Sequence, residues 1–463
     1  MKLLAISYGL LGVLELASTP LAAQTSLSIY KDGRVVVRRT LPQALQQGRN
    51  AVTLRLEGFD PATVFSPDSS ISLVSATARF PSTTDDALAR AVGQTLTFVR
   101  DSGLSRDTIR ATVLRVAPPQ YRLADGRVLL EQPGAPLFPA ELVRTVPEAQ
   151  VLLDAARARP RTELAYVSQG MTWEALYQVM ISGNRCQVSG TATVTSQALR
   201  VDSADVQLVA GAIRRVRNEQ DQFGAPALAG ALRRAAVQAD VAATEEAVGE
   251  THVYQLPGKL TIEPNVPVAT ALFPRSSAPV IEELIVPGVL PWRGWIGQTA
   301  EQNNVPVQVW YTIKRAARTP FGDRPLPAGT VQLYQADSSG RVQLIGESAN
   351  NHTAPGQDLR VQSGDAFDVT AERVQTDFNQ EQLPPPQRGM AARQRITATY
   401  RVTIANAKAS ALTVDVHESH AGNWRITDSS VPAEKLSSTE SRFRISVPAT
   451  GQATLTYTVQ LES

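Results

Sequence analysis

Cysteine and histidine are scarce in this chain of 463 residues, which contains one cysteine and four histidines. The single cysteine, Cys186, excludes an intramolecular disulfide and leaves a zinc site built on cysteine ligands short of partners. So few histidines also argue against a metal site made of several imidazoles. We therefore predict a chain without a disulfide framework, a bound metal or another cofactor.

A strong net charge is also missing. Lysine and arginine total 45 and aspartate and glutamate total 43, so the net charge is +2. Nucleic-acid-binding proteins usually carry a concentrated positive charge, with aromatic residues among the basic ones where single strands are bound. Neither feature is present in the sequence. We therefore expect no nucleic-acid partner.

Long apolar segments are confined to the N-terminus, where Lys2 precedes the apolar run 3–16 and small residues precede a cleavage site after Ala23. These are the parts of a secretory signal peptide. The run is shorter than the roughly 20 residues that span a bilayer. Every later apolar run is interrupted by proline, glycine or a charge. We therefore predict that residues 1–23 direct export to the periplasm or outside the cell, and that the mature chain has no transmembrane segment.

Alternation of apolar and polar residues dominates the rest of the chain, and apolar residues make up 43% of the whole, enough for a substantial core. Short alternating runs bounded by glycine, proline, aspartate and asparagine are typical of strands. We predict an all-β fold in three consecutive parts after the signal peptide. These are an N-terminal β domain over 24–145, a central β region over 146–289, and a C-terminal immunoglobulin-like β-sandwich over 290–463.

Two stretches interrupt the strand pattern. Residues 147–158 begin with proline and glutamate, which favour a helix start, and they predict a short helix. Residues 217–250, inside the central region, are rich in alanine, and the sequence after Pro226 allows a helix to about Val248. A mobile insertion between two strands explains this second stretch equally well, and both alternatives stay open.

Turn signals mark several strand ends. Asp-Gly pairs at 32–33 and 125–126 indicate hairpins with type I′ turns. The sequence Leu-Pro-Ala-Gly at 326–329 predicts a turn in which the glycine supplies a positive φ if one is required. The proline-rich segment 384–391 is predicted to be a loop, because consecutive prolines cannot donate to a sheet.

Four segments occur in an order that is distinctive as a set: LAYVSQGMTWEALY (164–177), ADVQLVAG (204–211), RPLPAGTVQLY (324–334) and GDAFDVTAER (364–373). They resemble motifs of a bacterial envelope family, the domain-of-unknown-function 4139 proteins, which include mucoidy inhibitor A-like proteins. The later triplets at 406–408 and 422–424 also fit the family pattern. The resemblance covers nearly all of 24–463 and implies an exported β protein. It implies no chemistry, because the family has no agreed activity.

The motif residues suit structural roles. Trp173 and Tyr177 are four residues apart and so share a strand face, where large aromatic side chains usually fill a core. In the last motif, alternation predicts that Phe367, Val369 and Ala371 lie on one face of a strand. The polar residues between them then occupy the other face.

Asp365, Asp368 and Glu372 are the first candidates for catalysis, since an exported β protein could be a glycosidase. Such an enzyme holds two carboxyl groups about 5–9 Å apart across the scissile bond. Catalytic sites usually draw residues from separate elements, whereas these three belong to one segment. We interpret them as a polar strand face.

His417 and His420, with Glu418 between them, are the candidates for a metal site. Residues three apart on a strand point to opposite faces, so the two imidazoles reach one ion only at a bend. The metalloprotease pattern HExxH is missing and no third ligand stands out nearby. We interpret the pair as structural or exposed histidines.

A nucleophilic site is weakly supported as well. Ser28 and Lys31 match the S-x-x-K signature of penicillin-binding proteins, but the other motifs of that family are missing. Cys186 lies in a predicted strand and is expected to be a small core residue. The sequence therefore assigns no catalytic, cofactor-binding or metal-binding residue, and it leaves the binding residues unknown.

Two functions follow as hypotheses. The first is a non-catalytic exported cell-envelope protein that binds a protein partner or a polymer, such as a polysaccharide, through sheet edges and loops. The alternative is an exported hydrolase of carbohydrate or peptide whose site is assembled only in three dimensions. The sequence does not decide the oligomeric state.

Overall fold

A computed structural model describes residues 24–55, 58–101, 106–211, 244–248, 251–288, 301–384 and 393–462. Within these residues there are 29 strands, one seven-residue α-helix and two 3-10 helices. The prediction of an all-β fold is confirmed. No helix in the described ranges is long and apolar enough to cross a membrane. The predicted signal peptide and nearly all of the predicted proline-rich loop lie outside those ranges.

The chain forms two compact units, each built from segments that are separate in the sequence. Unit 1 takes its described residues from 1–172, 195–207 and 258–267, and unit 2 takes its own from 173–194, 208–257 and 268–463. The sequence predicts consecutive domains with boundaries after residues 145 and 289. Those boundaries stay a prediction, because the two units are not consecutive stretches of the chain.

The first eleven strands belong to unit 1. They are β1 (Thr25–Tyr30), β2 (Arg34–Thr40), β3 (Gly48–Arg55), β4 (Ile71–Arg79), β5 (Thr95–Asp101), β6 (Arg106–Arg115), β7 (Gln120–Leu123), β8 (Val128–Leu129), β9 (Ala135–Leu137), β10 (Glu148–Ala155) and β11 (Glu163–Gln169). Helix α1 (Thr84–Arg90) and the 3-10 helices Pro61–Thr63 and Ala140–Leu142 lie between them. The strands form the orders β11-β2-β1, β3-β10-β4 and β8-β7-β6-β5-β9.

Eighteen further strands follow. They are β12 (Met171–Ser182), β13 (Arg185–Ser196), β14 (Val201–Ala210), β15 (Thr244–Val248), β16 (Thr251–Ile262), β17 (Val268–Val286), β18 (Gln302–Val305), β19 (Gln308–Ile313), β20 (Gly329–Ala336), β21 (Val342–Asn350), β22 (Leu359–Asp365), β23 (Val369–Leu383), β24 (Arg393–Asn406), β25 (Leu412–Ser419), β26 (Asn423–Ser429), β27 (Ala433–Lys435), β28 (Glu440–Val447) and β29 (Gly451–Glu462). One sheet has the order β21-β20-β12-β13-β17-β25-β28-β27, with β19 bridging β17 and β22, and another has the order β18-β23-β24-β29-β26. Strands β14 and β16 continue the sheet of β1.

The last strands of unit 2 bury one apolar cluster between two sheets. β17, β25 and β28 supply one side of it, and β23, β24 and β29 supply the other. Two facing sheets with a common core are consistent with a β-sandwich. The immunoglobulin-like topology stays a prediction.

The helix predicted over 147–158 is wrong, because Glu148–Ala155 forms β10 at the centre of the sheet β3-β10-β4. Its apolar residues Ala149, Val151 and Leu153 are buried and occur at every second position, which is the period of a strand. Pairing on both sides with β3 and β4 satisfies the backbone of β10. This tertiary pairing outweighs the favourable helix start.

Part of the alanine-rich insertion is a strand. Thr244–Val248 forms β15, which pairs antiparallel with the first residues of β16. Neither predicted alternative, helix or mobile segment, holds for these residues, because backbone hydrogen bonds to β16 keep them extended. The other residues of the insertion, 217–243 and 249–250, lie outside the described ranges.

Both Asp-Gly hairpins are present, since β1 pairs with β2 and β7 pairs with β8. In each turn only the glycine, Gly33 or Gly126, has a positive φ, at 91° and 86°. A type I′ turn needs two such residues, so the predicted turn type is wrong. Leu123 donates its N–H to the Arg127 carbonyl across a three-residue loop, and the left-handed glycine closes that loop. In both turns the aspartate accepts from the arginine that follows the glycine, at 2.8 and 2.7 Å.

Candidate binding surface

Two of the three carboxylates singled out in the last motif lie on an exposed turn, whereas Glu372 is half-buried in β23, opposite Thr403 on β24. Asp365 ends β22, Asp368 precedes β23, and both are exposed. Phe367, between them, is 95% exposed, so the expectation that it shares the buried face of Val369 and Ala371 is wrong. The physical reason is that β23 begins only at Val369, and residues of the preceding turn do not follow the pleat of the strand.

Glu418 lies in the core, where it forms an ion pair with Arg373. Nη2 of Arg373 is 2.7 Å from Oε1 of Glu418, and the same nitrogen donates to the carbonyl of Pro287 at 3.2 Å. Burial raises the pKa of Glu418, while the guanidinium acts in the opposite direction. Burial also raises the pKa of the neighbouring Tyr457 well above its usual range. The pair therefore joins the two sheets inside unit 2 and does not face solvent.

The two histidines of the predicted candidate pair have separate partners. Nδ1 of His417 lies 2.8 Å from Oε1 of Glu440. His420 is buried, with Nε2 2.8 Å from Oγ of Ser441 and its ring centroid 4.3 Å from that of Trp424. Burial lowers the pKa of His420 to about 4. Among the described residues, no group of three or more histidine, cysteine, aspartate and glutamate side chains is placed to hold a metal ion.

The nucleophile candidates are also in structural positions. Oγ of Ser28, on β1, donates to the side chain of Gln207 at 3.1 Å, and Lys31 lies in the hairpin turn that follows. Cys186 is a buried core residue, as expected, with its sulfur 3.5 Å from the carbonyl oxygen of Ala278. Burial raises the pKa of this thiol to about 11, which keeps it protonated.

Two of the segments that carry the family resemblance contact each other inside unit 2, since Tyr177 of the first bonds to Pro327 of the third. Trp173 and Tyr177 are buried, as predicted. The hydroxyl of Tyr177 donates to the carbonyl of Pro327 at 2.6 Å, and the hydroxyl of Tyr254 donates to the carbonyl of Pro325 at 3.0 Å. These aromatic residues therefore hold the proline-containing turn before β20.

Gly329, the last residue of that turn motif, has no positive φ. It lies opposite Ala175 where β12 and β20 pair in parallel. A Cβ atom on residue 329 would lie 2.3 Å from the carbonyl oxygen of Ala175. The close approach of the two backbones therefore requires the glycine, and the turn conformation does not.

A group of polar and aromatic side chains lies on the face of β17, β19 and β22 opposite to the buried Tyr311 and Ile313. Residues directly opposite one another on neighbouring strands share a face. We call this surface the indole face, and define it by its polar and aromatic residues Glu283, Gln308, Trp310, Thr312, Arg360, Gln362 and Asp365. The exposed Ile281 and the buried Ile285 of β17 lie on the same side of the sheet.

Contacts within the indole face fix its side chains. The guanidinium carbon of Arg360 is 4.6 Å from the ring centroid of Trp310, and Nε of Arg360 is 3.4 Å from Oε2 of Glu283. The hydroxyl of Thr312 donates to the same oxygen at 3.1 Å. The indole N–H of Trp310 donates to Gln308 at 3.0 Å. Ion pairing, stacking and hydrogen bonds thus order the surface before any ligand arrives.

The exposed turn of Phe367 adjoins the indole face. Asp365 lies opposite Gln308 in the pairing of β19 with β22, and the N–H of Ala366 donates to the carbonyl of Val307 at 2.7 Å. This bond holds the turn beside the start of β19. Two aromatic rings, carboxylates and amides are therefore grouped at one end of the sheet.

Sequence reasoning did not single out Trp310 or Arg360. The alternation in 308–313, where Tyr311 and Ile313 are core residues, is the signal that places Trp310 on the opposite face. No comparable signal brings Arg360 to it, because the pairing of β19 with β22 is a tertiary contact.

Comparisons with known proteins add no assignment, since no family model and no curated protein matches the chain. The resemblance to the domain-of-unknown-function 4139 family thus stays a prediction based on the motif residues.

Proposed function

We propose that the chain is an exported, non-catalytic cell-envelope protein that binds a polysaccharide through the indole face and the turn of Phe367. The observation that carries the proposal is the ordered grouping of an indole, an exposed phenyl ring, carboxylates and amides on one sheet. Sugars offer C–H faces to aromatic rings and hydroxyl groups to charged and amide side chains. These groups have the matching chemistry.

The shape of the surface supports a polymer over a small molecule. Neighbouring strands present their side chains side by side, and Gln308, Trp310 and Thr312 follow one another along β19. At about 3.3 Å per residue these three positions span roughly 13 Å. An open sheet face of this kind suits an extended chain, whereas small ligands usually occupy concave cavities.

The positions of the candidate catalytic groups support binding over the hydrolase alternative. Glu418 and His420 are buried and occupied by structural partners. Asp365 and Asp368 belong to one exposed turn, whereas glycosidase carboxyl groups flank the scissile bond from two sides.

The test is retention of the purified full-length chain on an array of bacterial polysaccharides, followed by affinity electrophoresis with each polymer retained. Trp310→Ala and Phe367→Ala are expected to weaken binding at least about tenfold, since aromatic contacts dominate such interfaces. Phe80→Ala is the matched control, because Phe80 is an exposed phenylalanine of unit 1, and it is expected to leave binding within about twofold. Retention that none of these variants changes contradicts the proposal.

A further inference from the structure

Strand β4 is an edge of the sheet β3-β10-β4, and only one of its sides is paired. Its partner on that side is β10. On the other side, the N–H of Ile71 donates to the carbonyl of Asp68. From Ser72 to Arg79, the described residues provide no hydrogen bond to the open side. At about 3.4 Å per residue this open edge is roughly 27 Å long.

The other edges of the sheets in unit 1 are covered or short. On β3, Gln43 donates to the carbonyl of Ala51 and Arg39 to the carbonyl of Arg55. On β11, Phe65 pairs with Ala165. Edges β8 and β9 have two and three residues. Natural sheets protect their edges in such ways because an open one pairs with other chains.

The side chains of β4 do not oppose pairing. Residues 72–78 (SLVSATA) contain no charge and no proline, which are the residues that usually protect an edge. Leu73 and Val74 are 39% and 43% exposed, and Phe80, directly after the strand, is 70% exposed. The pairing of β4 with β10 has one irregularity, a bulge at Val74, which lies between the paired residues Leu73 and Ser75.

One end of the open edge is positive. Glu148 on β10 lies opposite both Arg79 on β4 and Arg55 on β3, so one carboxylate faces two guanidinium groups. Arg144 adds a third, since its Nε donates to the carbonyl of Phe80 at 3.2 Å. Asp86 also interacts with Arg144, so three guanidinium groups face two carboxylates at this end. An acidic group at this end of an added strand would meet the remaining positive charge.

We infer that β4 is a docking edge for an extended segment of a partner polypeptide, which adds to the sheet as a further strand. The segment carries uncharged apolar side chains at alternate positions along 72–78 and an acidic residue beside Arg79. Main-chain hydrogen bonds provide the affinity, and the alternate side chains and the acidic residue provide the specificity. This inference concerns unit 1 alone and does not depend on polysaccharide binding.

The test uses fluorescein-labelled peptides of about nine residues with alternating valine and threonine. One peptide has glutamate at its N-terminal end, one has it at its C-terminal end, and one lacks it. Fluorescence anisotropy measures their binding to the purified full-length chain. Two further versions carry N-methyl groups on the odd or on the even residues, because a strand added at an edge uses the N–H groups of alternate residues only.

Thr77→Asp and Thr53→Asp form a matched pair of variants, because Thr77 on β4 and Thr53 on β3 both lie opposite Gln150 and both are exposed. Thr77→Asp is expected to weaken binding at least about tenfold and Thr53→Asp less than about twofold. Their unfolding midpoints show whether both still fold.

One N-methyl pattern is expected to abolish binding while the other preserves it, and Arg79→Ala is expected to remove the preference for a glutamate peptide. Equal effects of the two N-methyl patterns, equal effects of the two aspartate variants, or no binding by any peptide overturn the inference. Self-association of the chain that Thr77→Asp abolishes, without peptide binding, also overturns it, because the occupant is then a second copy.

Discussion

Glu418 shows how strand position decides what a carboxylate can do. In β25, Val414 and Val416 are buried core residues, and Glu418 continues their alternation onto the same face. This alternation is visible in the sequence, and it places Glu418 on the core face of the strand. What the sequence could not show is the partner, since Arg373 comes from β23 in the facing sheet.

Removal of one member of the Arg373–Glu418 pair is expected to lower the free energy of unfolding far more than removal of both. Glu418→Leu leaves the guanidinium of Arg373 buried without its counter-charge and is expected to lower the free energy of unfolding by about 3–5 kcal/mol. The double variant Arg373→Met with Glu418→Leu is expected to recover most of that loss. Urea unfolding of the three proteins measures both values. A double variant as unstable as the single one contradicts this account of the pair.

His420 is expected to make unfolding depend on pH. Its pKa is about 4 in the folded chain because of burial, against about 6.5 in an unfolded one. Between these values the unfolded state binds more protons, so the free energy of unfolding falls as pH decreases from 6.5 toward 4. The contribution of this one residue is about 3 kcal/mol.

Urea unfolding at pH 7 and at pH 4.5 measures this effect as the difference between the wild-type chain and His420→Gln. Because glutamine does not titrate, the variant is expected to lose less stability between the two pH values. An identical loss in both proteins counts against a neutral buried imidazole.

At the scale of elements, alternation predicted most of the strands, but residues 147–158, predicted to form a helix, contain the strand β10. Its sequence combines a good helix start with apolar residues at every second position, and only the flanking strands β3 and β4 decide between the two. The exposed position of Phe367 has a similar origin. An alternating sequence does not show where a turn ends and the strand begins.

Gly329 provides a test of the parallel pairing between β12 and β20. Gly329→Ala places a methyl group 2.3 Å from the carbonyl oxygen of Ala175, so the strands must separate locally. We expect the free energy of unfolding to fall by about 1–3 kcal/mol. Thr330→Ala, at the next position of the same strand, removes atoms without a clash and is expected to cost less than about 1 kcal/mol. Thermal unfolding of both variants checks the difference, and equal costs refute the close approach.

At the scale of the whole molecule, the sequence predicted the fold class but not how segments combine into units. Residues 195–207 and 258–267 belong to unit 1, although the chain around them belongs to unit 2. Composition and alternation describe neighbouring residues along the chain, so they do not show that distant segments share one unit. The indole face could not be predicted for the same reason, since its residues come from the separate strands β17, β19 and β22.

Ligand binding by the indole face is expected to stabilise unit 2. A polysaccharide present at about 100 times its Kd adds roughly 2.7 kcal/mol to the free energy of unfolding if it binds only the folded chain. If Trp310→Ala weakens binding about tenfold, the same polymer concentration is expected to add only about 1.4 kcal/mol to that variant, and chemical denaturation with and without polymer measures the difference. Equal stabilisation of both proteins places the binding site elsewhere.

The most direct test of binding without cleavage measures whether the protein shortens the polysaccharide that it binds. The full-length chain is incubated with the polysaccharide that it retains best on the array, and size-exclusion chromatography then measures both bound polymer and polymer length. We expect binding that Trp310→Ala weakens at least about tenfold, with the length of the polymer unchanged. Shortened polymer with the wild-type chain contradicts the account, because the protein is then a hydrolase.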